Sequence, residues 1–442
     1  MDIVSIEPRM LKGTVRVPPS KSIAHRGIIC AALSQGVCRI SNVEASKDIE
    51  ATLRCVQALG AAAEFCEQEK AVVFSEPGTL AENEERDEML VLDCCESGST
   101  LRFLMPIALL SGRPVKFVGQ GRLLQRPQKP YFDLFAKKGI ECKATAEAIY
   151  LRGKLSPGIF RLPGNVSSQF ITGLLFALPL LSGDSEIQVT TPMESKGYVD
   201  LTLAVLNDFG IAVKNHDYRK FSIPGNQKYA HRDYCVEGDY SQAAFFLVAG
   251  ALGCNLCCRG LRRESLQGDR TILSILREAG ALVEETSDGG IRVRRRDCMH
   301  GVTVDAREIP DLVPILAVFC GFLPGESRII NAGRLRMKES DRLAAIAGEL
   351  KHLGLDITEG TDSLRIVGQE VLFGTTVSSW NDHRIAMALA VAACRCEGAV
   401  SITGAGTAVK KSYPDFFEVY YGLQKGPEPL LKYGQKITEV ER

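Results

Sequence analysis

Six times along the chain a polar start gives way to a stretch with apolar residues at helical spacing, then to a glycine. The copies are IEATLRCVQALG after Asp48, YFDLFAKKG after Pro130, LTLAVLNDFG after Asp200, RTILSILREAG after Asp269, RLAAIAGELKHLG after Asp341 and FFEVYYG after Asp415. Their glycines, Gly60, Gly139, Gly210, Gly280, Gly354 and Gly422, recur at near-equal intervals of roughly seventy residues, which marks one repeated unit. Each glycine suits the left-handed position that closes a helix before a strand.

Short alternating runs accompany the helices: AVVFSE at 71–76, VKFVGQ at 115–120, AIYLRG at 148–153 and IRVRRR at 291–296. Each unit therefore reads as mixed α/β, with more than one helix and about four strands. Two greasy stretches, 170–183 and 244–258, are too short for a bilayer span and read as buried helices. Three units per half make two domains of ordinary size. The expected division puts residues 19–238 in the first domain and residues 1–18 with 239–442 in the second. The breaks are Pro18-Pro19 and Gly238-Asp239, so the chain crosses one hinge twice.

Composition narrows the class. The 442 residues are 45% hydrophobic and 24% charged with zero net charge, which gives no reason to expect nucleic acid or an anionic membrane as partner. MDIVSIEPRM has neither the basic nor the apolar region of a signal peptide. Fifteen scattered cysteines fit reduced thiols in a cytoplasm, and Cys254, Cys257 and Cys258 lack the second pair that a zinc site needs.

The charged residues fall at helix starts. PPSKSIAHR (18–26) sets Lys21, Ser22 and Arg26 behind Ser20, a good N-cap; it is either an anion site or a solvated helix start. SGSTLRF offers Gly98 and Arg102, QGRLLQRP offers Arg122 and Arg126, and VSSQF offers Ser167, Ser168 and Gln169. Ser195 and Tyr198 follow on a turn. In the second half Asp311 opens an apolar helix, as a cap or as a base. Lys338 and Glu339 form an acid–base pair beside Arg342, and Asp382, His383 and Arg384 start a core helix before Lys410 and Lys411.

PPSKSIAHR, SGSTLRF, QRP, VSSQF, SKGYVD, IPDLV, KESDR, NDHR and KSYPDFF, in this order, resemble the 5-enolpyruvylshikimate-3-phosphate synthase family over roughly residues 12 to 420. The resemblance implies an α/β fold of two domains, each of three βαβαββ units, with helix N-termini facing the cleft. It implies transfer of the enolpyruvyl group of phosphoenolpyruvate to shikimate 3-phosphate, through a tetrahedral intermediate, with no metal or organic cofactor. Under it Lys21, Ser22, Arg26, Ser167, Ser168, Gln169, Ser195, Tyr198, Asp311 and Lys338 would hold shikimate 3-phosphate. Lys21, Gly98, Arg126, Gln169, Arg342, Arg384 and Lys411 would hold phosphoenolpyruvate. Asp311 would be the base, Glu339 the partner acid, Lys338 would bind substrate and assist, and Lys21, reaching both ligands, would be the third catalytic residue. A cytoplasmic monomer is expected.

Two positions depart from the family pattern: Glu96 stands where many members have asparagine, and Arg334 where some members have a ligand asparagine. The sister UDP-N-acetylglucosamine 1-carboxyvinyltransferase shares fold and donor, but its cysteine loop is not evident here. With cations on both faces of the cleft, the empty protein is expected to stand open by like-charge repulsion.

Overall fold

The computed structural model describes residues 2–34, 36–75 and 88–425. One unit shows the plan. Strand Leu90–Asp93 leads through helix Gly98–Ala108 to strand Val115–Val118, which lies parallel to it. Helix Lys129–Lys137 follows, and then strands Glu141–Ala144 and Ala148–Arg152 pair antiparallel, the latter also along Val115–Val118. The helix between the two parallel strands is the crossover that parallel pairing requires. The same pairing recurs in the sheets built on Gly158–Leu162 with Ser185–Val189 and on Thr303–Asp305 with Glu326–Ile330.

Two further units borrow their first strand from a distant part of the chain. Tyr234–Cys235 lies parallel to Cys38–Ser41, and Lys12–Arg16 lies parallel to Asn255–Arg259. These exchanges place the two chain crossings side by side: Asp239 N–H donates to the Pro18 carbonyl at 2.9 Å, and Ser20 N–H to the Glu237 carbonyl at 2.8 Å. The last unit is closed by the N-terminus itself, with Ile3–Ile6 antiparallel to Val400–Thr403, which is parallel to Thr376–Ser378.

Helices Ser168–Ala177, Tyr240–Ala251, Val313–Cys320 and His383–Ala392 are buried along almost their whole length, inside the units rather than on their surface. Apolar side chains form two separate clusters. One runs from Ile23 to Val236; the other joins Ile6, Leu11, Val15 and Val17 to Tyr240 through Leu423.

Gly60, Gly139, Gly210, Gly280 and Gly354 all have positive φ, from 73° to 107°, and follow their helices as the pattern required. Gly422 does not: it lies inside helix Phe416–Lys425, because the closing strand of that unit comes from the N-terminus and the helix has no turn to make there. The stretch 244–258 is not one helix. Gly253, at φ 114°, ends helix Tyr240–Ala251, and Asn255–Arg259 is a strand. Residue 76 of the AVVFSE run lies outside the described residues; Ala71–Phe74 is a strand. All fifteen cysteines are free thiols. Among the described residues no helix is long and apolar enough to cross a membrane.

Candidate active site

Helix N-termini from both clusters meet around one cavity. Lys21, Ser22 and Arg26 line it from helix Lys21–Ala32, Gly98 from helix Gly98–Ala108, and Arg126 from the loop after Leu123–Gln125. Ser167, Ser168 and Gln169 come from the start of helix Ser168–Ala177, and Ser195 and Tyr198 from the start of helix Lys196–Asp208. Asp311, Lys338, Glu339, Arg342 and Arg384 face them from the other half. Of the site residues that the resemblance implies, Lys411 alone stands behind the wall; Arg122, Asp382 and Lys410, marked in the sequence as charges, do not line the cavity either. The Lys411 Nζ is 2.7 Å from Glu96, in the turn that leads to Gly98, and donates to the Asn381 carbonyl at 2.6 Å.

Caps explain how several side chains are aimed. Ser167 Oγ accepts from Gln169 N–H, and Ser97 Oγ from Thr100 N–H. Ser20 does not cap its helix; its Oγ is buried without a partner, and the Lys21 N–H donates instead to Asp239 Oδ2 at 3.2 Å. Asp239 caps its own helix with Oδ1, so one carboxylate steadies helix starts in both halves. Ser195 sits in the left-handed region, φ 57°, with its hydroxyl free of any cap and receiving Arg334 Nη2 at 2.9 Å.

Asp311 is not a cap. It lies in the turn Pro310–Leu312, no side-chain bond to that helix start forms, and its carboxylate belongs to cations instead. Arg342 Nη1 reaches Oδ1 at 3.0 Å, Lys338 Nζ is 3.5 Å from the same oxygen, and Arg384 Nη2 reaches Oδ2 at 2.9 Å. Burial alone would raise this carboxyl, but Arg384, Lys338 and Arg342 outweigh it and hold it well below the usual range. Glu339 is treated alike. Burial opposes its charge, yet Arg126 at 3.1 Å and Arg342 at 2.7 Å keep it ionised. Burial lowers the Lys338 ammonium. Arg342 is locked by a third carboxylate, Asp382, at 2.8 Å.

The first half has fewer carboxylates. Lys21 Nζ is 2.6 Å from Asp48. Arg26 is buried with only neutral partners, Thr202 Oγ1 and the carbonyls of Ser22 and Tyr198, and burial brings it down to about 10. Arg102, which the sequence marked only as a charge near Gly98, also lines the cavity. It donates to Gln169 Oε1 at 2.7 Å, and burial, with Arg126 nearby, lowers it to about 9. His383 lines the wall with both ring nitrogens unpartnered, and burial keeps it neutral.

Opposite charges meet across the cleft, where like-charge repulsion was expected. Arg126 meets Glu339, Arg334 meets Glu194 at 2.7 Å, and Lys411 meets Glu96, each pair joining one core cluster to the other. The halves are drawn together because carboxylates face cations. The departures Glu96 and Arg334 are themselves two of these links.

The EPSP synthase (3-phosphoshikimate 1-carboxyvinyltransferase) family model matches residues 6–420. The chain belongs to the EPSP synthase family. It is 48% identical over 422 residues to a 3-phosphoshikimate 1-carboxyvinyltransferase of Clostridium novyi, covering 95% of this chain and 96% of that protein. The enzyme of the same name from Clostridioides difficile is 46% identical, with 95% and 96% covered. Among solved structures, an EPSP synthase from Acinetobacter baumannii superposes with a TM-score of 0.79 at 25% identity, covering 95% of this chain and 98% of that one. The enolpyruvyl transferase NikO of Streptomyces tendae, at 18% identity and a TM-score of 0.74 over 95% and 97% of the two chains, shares the fold. The solved structures thus agree with the α/β enolpyruvyl transferase fold that the resemblance implies.

Proposed function

We propose that this enzyme joins phosphoenolpyruvate to the 5-hydroxyl of shikimate 3-phosphate and releases phosphate, a step of aromatic amino acid biosynthesis. The observation that carries the assignment of roles is that one guanidinium, Arg342, touches both Asp311 and Glu339 inside the cavity.

The reaction needs a proton taken from the acceptor hydroxyl and a proton delivered to the donor methylene. Asp311, ionised by its three cations, is suited to the first. Glu339 delivers the second only if it can hold a proton. The carboxylate and phosphate of phosphoenolpyruvate compete for Arg126 and Arg342; as these turn to the ligand, burial regains control of Glu339 and its proton affinity rises. Lys21 lies between the two ligands and assists. Lys338 steadies the acceptor against Asp311. Ser167, Ser168 and Ser195 supply neutral donors for the 3-phosphate, with Ser22 and Arg26 beside them and Tyr198 lining that side. Gln169 reaches both ligands. Gly98, Arg384 and Lys411 complete the donor side, Lys411 after leaving Glu96.

We take the two core clusters as two domains, 19–238 and 1–18 with 239–442, and the enzyme as a cytoplasmic monomer. The test of function is acceptor choice. Phosphate release from phosphoenolpyruvate should start on adding shikimate 3-phosphate and not on adding UDP-N-acetylglucosamine; the reverse would make this the sister enzyme.

A further inference from the structure

A further carboxylate stands behind the cavity. Asp269, in the turn Gly268–Thr271, is 5% exposed and does not cap that turn. The Tyr198 hydroxyl is 3.1 Å from Asp269 Oδ2 and 3.3 Å from Asp311 Oδ2. Asp269 Oδ1 is buried with no partner at all. A buried carboxylate with an orphan oxygen is costly, and structural need does not explain it here, whereas neighbouring Asp239 spends its oxygens on helix N–H groups.

We propose that Asp269 holds the proton that Asp311 takes from the acceptor hydroxyl, receiving it through Tyr198. This rests on the function proposed above. The acceptor O–H bond breaks and its proton goes to Asp311. The protonated Asp311 then donates to the Tyr198 oxygen while the Tyr198 O–H donates its own proton to Asp269 Oδ2. Asp311 is a carboxylate again, Tyr198 is unchanged, and Asp269 is a neutral acid; no electrons are transferred. After product leaves, the proton returns along the same path to solvent in the cavity.

The direction follows from what faces each acid. Asp269 is met by Tyr198 from helix Lys196–Asp208, by Asp311 from the turn Pro310–Leu312, by Asp239 ahead of helix Tyr240–Ala251, and by Arg384 from helix His383–Ala392. Burial first, then the charge of Asp311, pushes it up to about 7, Arg384 opposing. Asp311 is held far lower by its cations, so a proton shared between the two settles on Asp269.

The experiment compares wild type with Asp269→Asn and Tyr198→Phe in steady-state phosphate release across pH, with shikimate 3-phosphate binding measured separately. Wild type should lose turnover on the acid side near pH 7, where Asp269 is already protonated. Asp269→Asn should lower kcat by about tenfold or more, remove that inflection and leave shikimate 3-phosphate binding within about twofold. Tyr198→Phe severs the path from the other side and should remove the same inflection, which carries the test if Asp269→Asn does not fold. Unchanged turnover in Asp269→Asn, or slower turnover with the inflection intact in either variant, would overturn the relay. An inactive wild type would instead overturn the function on which it rests.

Discussion

Arg126 and Glu339 meet at 3.1 Å across the cleft, one from each core cluster, with the Arg126 side chain buried and Arg342 on the far oxygen of the same carboxylate. Both guanidiniums are thus held by a carboxylate of the protein itself. Under the proposed function substrate binding would be an exchange of carboxylates, in which phosphoenolpyruvate takes the place of Glu339 on two guanidiniums.

Arg126→Lys should fail in this exchange. Lysine offers a point charge where a planar fork is needed. Removing one partner of a buried charged pair costs about 2–5 kcal/mol, and 1.4 kcal/mol is about tenfold in affinity, so the apparent affinity for phosphoenolpyruvate should fall by about tenfold to a thousandfold. Shikimate 3-phosphate should be affected less. An unchanged Michaelis constant for phosphoenolpyruvate would remove Arg126 from the donor site.

Gly98→Ala should act on the same group by crowding. A Cβ at residue 98 would lie 2.7 Å from Arg126 Nη1 and 3.6 Å from Gln169 Oε1. The guanidinium must shift, while the serines proposed to hold the 3-phosphate are untouched. We expect the Michaelis constant for phosphoenolpyruvate to rise by about tenfold and that for shikimate 3-phosphate to change by less than about threefold. Equal rises for both would show a general distortion of the helix start instead.

Much of this was legible beforehand, and the misses have a common cause. Five of the closing glycines and nearly all the cavity residues follow from helix-start spacing and motif order. What a one-dimensional pattern does not show is which carboxylate faces which cation. Asp48, Asp239, Asp269 and Asp382 each begin or precede a helix in the sequence and look like caps; two of them do cap, but all four also face groups from distant segments. The same limit hid the pairings of Glu339, Glu194 and Glu96 with Arg126, Arg334 and Lys411 across the cleft, where repulsion was expected. Gly422 misled for a similar reason, since the strand that closes its unit lies at the opposite end of the chain.

Asp311→Asn separates a base from a structural acid. The turn does not use the carboxylate as a cap, so the loss should fall on chemistry. Turnover should drop by about a hundredfold or more, with shikimate 3-phosphate binding held within about tenfold. Near-normal turnover would leave Asp311 a purely electrostatic support for Arg342 and Arg384.

Glu44 gives a test of stability against pH. Burial, and then Asp415 beside it, pushes its carboxyl up to about 7. A raised folded-state value means that the folded protein holds this proton more tightly than the unfolded chain. The contribution is therefore favourable at low pH and is lost as pH rises through about 7. Glu44→Gln removes the cost of ionising there and should raise stability by about 1–3 kcal/mol near pH 8, with the gain shrinking toward pH 5. Thermal melting at the two values checks it; a gain that is larger at the lower pH would reverse the assigned sign.

Under the proposed function both halves of the chain build one site for addition and elimination between two anionic substrates. Phosphorus NMR of a single tube holding enzyme, phosphoenolpyruvate, shikimate 3-phosphate and EDTA tests it most directly. The phosphoenolpyruvate signal should fall mole for mole as inorganic phosphate and one new phosphate ester appear, omitting shikimate 3-phosphate should stop all change, and EDTA should make no difference. Phosphate released without the acceptor, or turnover that EDTA abolishes and a divalent metal restores, would contradict it.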